Sequence, residues 1–154
     1  TTNMQNNFLI LDVGTDNGIS DGMGVVTGNG IVGIVEATDR HYCRVSSFLS
    51  ASQPASVKIS RTQAFGPLSW SGTSIRKAHI TEIPTHAEVT PGDTVVTSGF
   101  SAIFPPEIPV GTVTGVTSDG IYNDVDVDLL LDFNSLQHVF VVRNLDGKEI
   151  NGLL

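Results

Sequence analysis

The chain has 154 residues, 40% of them hydrophobic, with sixteen acidic against eight basic side chains and a formal net charge of −8. That length and apolar content suffice for one good core, or for two small barrels that share an interface. The basic residues (Arg40, Arg44, Lys58, Arg61, Arg76, Lys77, Arg143 and Lys148) are scattered and form no stripe, so phosphate-backbone binding lacks its electrostatic footprint and nucleic acid is excluded as a partner.

Sixteen glycines, seven prolines and short runs of Val, Ile and Thr favour β structure, and no window of a dozen residues keeps a 3.6-residue apolar period. In chain order, Phe8-Leu9-Ile10-Leu11 is the first predicted strand, and Asp16-Asn17-Gly18 is a turn in which Asn and Gly tolerate positive φ. Residues 24–27, the Gly28-Asn29-Gly30 turn and residues 31–38 make a hairpin. Strands at 42–49, 55–60 and 65–70 follow, then 78–83, 94–97, 110–116, 124–133 and 139–143, with one short helical turn at 134–138. The polar, charged stretch 71–77 lies between two strand-like segments and is expected to be the boundary between halves. This gives an N-terminal barrel half at 1–77, a C-terminal barrel half at 78–145 and a tail at 146–154. The predicted fold is all-β, a pair of small β-barrel-like subdomains.

An internal repeat supports the pairing of halves. Asp21-Gly22-Met23-Gly24-Val25-Val26-Thr27 aligns with Pro91-Gly92-Asp93-Thr94-Val95-Val96-Thr97, 70 positions on (Gly22 to Gly92). Ile31-Val32-Gly33-Ile34-Val35 aligns with Pro109-Val110-Gly111-Thr112-Val113, 78 positions on (Gly33 to Gly111). The later copy therefore carries eight extra residues, all in an apolar, proline-punctuated loop from Phe100 to Pro109. Val96 and Val113 are expected to be core residues, either beside Val26 and Val35 or in matching places of their own unit. The loop is excess to the simplest version of the fold, and a stiff apolar segment loses little entropy on docking. Phe100, Ile103, Phe104 and Ile108 are accordingly the candidate partner-contact residues; the competing expectation is that they cap the open end of the second barrel.

Several blocks in order, among them Asn7-Phe8-Leu9-Ile10-Leu11, G-M-G-V-V-T from Gly22, G-I-V-G-I-V from Gly30, Phe65-Gly66-Pro67-Leu68-Ser69-Trp70, G-D-T-V-V-T-S-G-F-S-A-I-F-P from Gly92 and Asp132-Phe133-Asn134-Ser135-Leu136, resemble the extracytoplasmic part of the MreC family of rod shape-determining proteins. The resemblance runs from about Asn7 to Arg143. It implies a double barrel reminiscent of the chymotrypsin fold without its chemistry. It also implies a self-associating scaffold, as dimer or filament, that organises peptidoglycan-synthesising enzymes on the extracytoplasmic face of the inner membrane. The partners it implies are a class B penicillin-binding transpeptidase, MreD and the MreB-linked elongation complex. An anchoring membrane helix and a coiled coil are expected upstream of these residues. Within them the longest apolar runs, such as Val139 to Val142, fall far short of the roughly 20 residues needed to cross a bilayer, and the polar, uncharged start Thr1 to Asn7 is no signal peptide.

That fold raises the alternative of a small trypsin-like serine hydrolase, which needs a nucleophilic Ser, a His to take its proton, an orienting Asp and oxyanion donors. His41 and Ser98 are the nearest candidates, but Val96 rather than Gly stands two residues before Ser98, and Cys43 has no partner for the disulfide usual beside such a histidine. Cys43 instead suits a buried apolar position. His41, His79, His86 and His138 lack metal-ligand spacing. Asp124, Asp126, Asp128 and Asp132 look like a calcium cluster but lack the Gly and distal Glu of an EF-hand loop, and at period two, with Val125, Val127 and Leu129 on the opposite face, they read as a solvated row on one side of a strand that discourages wrong edge pairing. The sequence thus predicts no catalytic residues, no metal and no cofactor.

Overall fold

The computed structural model describes residues 8–48, 55–70, 76–100, 103–131 and 138–142. Its strands are β1 (Phe8–Leu11), β2 (Gly24–Thr27), β3 (Gly30–Thr38), β4 (Cys43–Ser47), β5 (Ala55–Ile59), β6 (Phe65–Trp70), β7 (Lys77–Pro84), β8 (Thr94–Thr97), β9 (Pro109–Ser118), β10 (Tyr122–Leu129) and β11 (Phe140–Val142), with a 3₁₀ turn at Thr15–Asn17. The fold is all-β, as expected. The helical turn expected at 134–138 falls almost wholly outside the described residues.

Strands β5 to β10 close into a six-stranded barrel in the order β10-β7-β6-β5-β8-β9, while β1, β4, β3, β2 and β11 form a five-stranded sheet in that order. The pairing divides the chain differently from the boundary expected at 71–77. Residues 55–70 belong to the closed barrel, and β11 returns to pair antiparallel with β2. The barrel is therefore inserted between β4 and β11. Composition misleads here because β6 and β7 pair antiparallel within one barrel, while the polar sequence between them reads like an interdomain linker.

The repeat is real at the level of individual hydrogen bonds. Val25 faces Gly33 and Val95 faces Gly111, and the register slips at the next residue in both hairpins. Gly22 and Gly92, at φ of +91° and +96°, donate to Val35 and Val113 carbonyls, both at 2.8 Å. The extra residues of the two bulges are Val32 of β3 and Val110 of β9, and Val25, Val26, Val95 and Val96 are all buried, as are Val35 and Val113. Gly33 and Gly111 recur because a side-chain carbon at either would collide with the carbonyl of the next strand, at Ser46 and Asp128 respectively. The likeness continues into a turn: Asp39 accepts from the His41 and Tyr42 amides at 2.9 and 2.8 Å. Asp119 accepts from the Ile121 and Tyr122 amides at 2.9 and 2.7 Å. These bonds hold both carboxyls below the usual carboxylate range, the His41 amide leading at Asp39 and the Tyr122 amide at Asp119.

One apolar cluster runs through both units. It contains Val25, Ile31, Val32, Val35 and Val45 of the sheet, and Val57, Ile59, Ile80, Val95, Val113 and Val127 of the barrel.

Candidate interaction surface

The loop after β8 is built around Thr97. Its amide donates to the Ile108 carbonyl at 2.9 Å and its carbonyl accepts from Glu107 at 3.1 Å. The Thr97 hydroxyl donates to the Pro105 carbonyl at 2.7 Å and accepts from the Ile108 amide at 2.9 Å. At the far side, buried Lys58 reaches Glu107 at 2.6 Å and Gln63 at 3.0 Å. Gly99, at φ +81°, lies so close to Pro106 that an added side-chain carbon would come within 2.7 Å of the ring.

This clamp sorts the four candidate residues. Phe104 is 3% exposed, and its ring lies over Gly24 of β2, where a side-chain carbon would come within 2.7 Å of it. It is thus a core residue joining loop to sheet, a correction to its candidacy for partner contact, and the physical reason is the space left by Gly24. Ile103 and Ile108 are half-buried and pack against the same core. Phe100 alone of the four stands out, at 70% exposed, and its ring meets Phe65 of β6 edge to face, with centroids 4.8 Å apart.

Phe65 is itself 53% exposed and lines a cleft of about 600 Å³ with Pro67, Pro84 and Ala87. The cleft exists because β6 and β7 pair only from Leu68 to Trp70. Pro67 has no N–H to extend that ladder, and β7 bulges where Glu82 takes φ +63°. Glu82 and Glu88 set acidic groups on its lining. Beside it the Arg61 guanidinium grips both Asp93 carboxyl oxygens at 2.9 Å, and Asp93 also accepts from the Thr90 amide. That guanidinium holds the Asp93 carboxyl below the usual carboxylate range, against the opposing effect of burial, with help from the Thr90 amide.

Phe65 went unmarked in the sequence because nothing local distinguishes an outward strand aromatic from an inward one. The only hint was the proline two residues on. The hydrolase candidates are given other partners: the Ser98 hydroxyl bonds the Ser56 hydroxyl at 2.7 Å, while His41 is exposed on the β3–β4 turn beside Asp16. On β10 the carboxylates do share the outer face, with Val125, Val127 and Leu129 buried. Asp124 meets His79 at 3.0 Å and Asp128 meets Lys77. Since β10 lies inside a closed barrel, the row guards no edge.

Residues 1–143 match the family model described as rod shape-determining protein MreC, barrel core. The chain belongs to the MreC family. The MreC relative from Listeria monocytogenes is 27% identical over 143 residues, covering 90% of this chain and 48% of that protein. The chain spans less than half the length of the curated MreC relatives it matches. Among solved structures, MreC of Listeria monocytogenes superposes with a TM-score of 0.82 at 26% identity, covering 90% of this chain and 69% of that one. The MreC component of a complex with penicillin-binding protein PBP2 from Helicobacter pylori has a TM-score of 0.69 at 22% identity, covering 82% of this chain and 81% of the other, a likeness of fold. Among the described residues no helix is long and apolar enough to cross a membrane.

Proposed function

We propose that this MreC barrel core is a non-enzymatic scaffold of the cell-elongation machinery, which holds a class B penicillin-binding transpeptidase and associates with further copies of itself. The observation that carries the reading is the exposed Phe65–Phe100 pair at the mouth of the acid-lined cleft. Two outward aromatics, Phe65 on a barrel strand and Phe100 in the loop after β8, beside a concave apolar surface, have the make-up of a protein-contact hot spot. The Helicobacter pylori complex, in which an MreC is bound to PBP2, makes a transpeptidase the first partner to test. Localisation outside the inner membrane, anchored by an upstream membrane helix, and contact with MreD and the MreB-linked complex belong to the same reading.

Titration of the transpeptidase ectodomain against this chain and its Phe100→Ala and Phe65→Ala variants tests it. Loss of about 2 kcal/mol or more of binding at either position, with unchanged melting, is the expected result. Unchanged affinity in both variants removes the surface from the interface. A serine-directed fluorophosphonate probe is expected to leave the chain unlabelled, and labelling at Ser98 would favour a hydrolase instead.

A further inference from the structure

Every second residue of β10 is buried, and Asn123 heads a row that otherwise consists of Val125, Val127 and Leu129. Asn123 is only 9% exposed, yet its carboxamide makes no hydrogen bond among the described residues. A buried amide in that state costs free energy unless something outside the fold satisfies it. Its side chain lines a cavity of about 330 Å³ between β7 and the β9–β10 hairpin.

The opposite wall is made by an irregularity in β7. Where β10 has Asp124 alone between Asn123 and Val125, β7 has both Thr81 and Glu82 between Ile80 and Ile83. This bulge brings Glu82 to the cavity at φ +63°, a left-handed backbone uncommon outside glycine and typical of residues re-aimed at a site. The Glu82 carboxylate has neither ion pair nor hydrogen bond among the described residues. The other two carboxylates of the lining are held in place, Asp119 by the Ile121 and Tyr122 amides and Asp124 by His79 at 3.0 Å. Among the described residues no lysine or arginine lines the cavity.

We propose that this cavity receives the arginine side chain of a partner protein. A guanidinium carries only donors, spread over a plane, and the cavity offers acceptors on three strands: Glu82 of β7, Thr117 of β9 and the Asn123 carboxamide oxygen of β10. Among the described residues no three acidic, histidine or cysteine side chains converge as a metal ion would require. Half-exposed Tyr122 adds an aromatic ring on which a guanidinium can stack. Beside it Ile121, 71% exposed, gives an apolar contact for the residues flanking that arginine, which favours a protein over a free ion. The inference goes beyond the scaffold reading and does not rest on it.

Nuclear magnetic resonance titration of the unaltered protein with the capped tripeptide acetyl-Val-Arg-Val-amide tests it. Saturable shifts at the Asn123 side-chain amide and the Tyr122 backbone amide are the expected result, with the Val-Lys-Val counterpart weaker by about threefold or more. Glu82→Gln, at an exposed side chain, is expected to weaken the arginine peptide by about three- to tenfold. Glu88→Gln, which alters only the larger cleft lined by Phe65, is expected to leave it unchanged. Absence of saturable shifts at Asn123 overturns the proposal, as does an equal response to the lysine peptide. Agmatine bound as tightly as the peptide assigns the cavity to a free guanidine, and N-acetylglucosamine giving the same shifts assigns it to a sugar. Weakening by Glu88→Gln assigns the guanidinium to the larger cleft, and each of these three outcomes overturns the proposal as well.

Discussion

Two phenylalanines four positions apart show how little of a residue's role lies in its own chemistry. Phe104 fills the space over Gly24 and is buried, so Phe104→Ala removes a packed aromatic and is expected to cost about 3–5 kcal/mol, read as a drop in melting temperature. Phe100 points to solvent, and Phe100→Ala is expected to change stability by no more than about 0.5 kcal/mol. A reversal of that order would remove the sorting of the loop into core and surface. Asp93 makes a prediction in pH. Its native carboxyl is lowered by Arg61, so between the native pKa and the ordinary carboxylate range the unfolded chain binds more protons than the folded one. Stability from this pair is therefore complete above the ordinary range and is lost as pH falls through the lowered native pKa. Asp93→Asn is expected to flatten the acid limb of the stability curve, measured by denaturant melts below about pH 5.

At the scale of elements, Thr97 serves the loop after β8 with amide, carbonyl and hydroxyl. Thr97→Val keeps the shape but leaves the Pro105 carbonyl and the Ile108 amide without their shared partner. A loss of about 1–3 kcal/mol is expected, with faster exchange at the Ile108 amide as the local readout. If Ile108 stays protected, the hydroxyl is not what closes the loop. The two hairpins offer a matched test. Gly33→Ala and Gly111→Ala place a carbon against a carbonyl of the adjoining strand, at Ser46 and Asp128, and each is expected to destabilise by about 1–3 kcal/mol. An effect at one position and none at the other would break the equivalence of the repeats.

For the whole molecule, the important fact is that a closed barrel is inserted within the strands of the other unit. In a closed barrel every strand is hydrogen-bonded on both sides, whereas among the described residues β11 contributes three residues and one ladder. Native-state hydrogen exchange is therefore expected to show the β8, β9 and β10 amides opening only with global unfolding, and β11 opening at lower free energy. Equal protection throughout would mean that the two units unfold as one. Association between copies is expected to be weak for this length of chain, since tethering through further segments raises effective concentration. Sedimentation across a wide concentration range measures it, and a strict monomer at millimolar concentration counts against self-association.

The strand positions, the all-β class and the repeat were legible in the residues, because alternation, β-branched runs and Gly-centred turns are local signals. So were the buried Val96 and Val113 and the outward carboxylates of β10. Sheet membership was not. Nothing near Ala55 or Phe140 says that the first strand joins the barrel ahead of it while the second returns to a sheet begun more than a hundred positions earlier. Pairing is chosen by which edges remain open after the core has formed, a property of the folded whole. The same holds for the loop: apolar composition marked its four hydrophobic residues alike. Gly24, eighty positions upstream, decided that Phe104 goes in, and Phe65, on a strand of its own, gave Phe100 its neighbour. Contacts between residues so distant in sequence depend on tertiary packing, and only the structure brings them together.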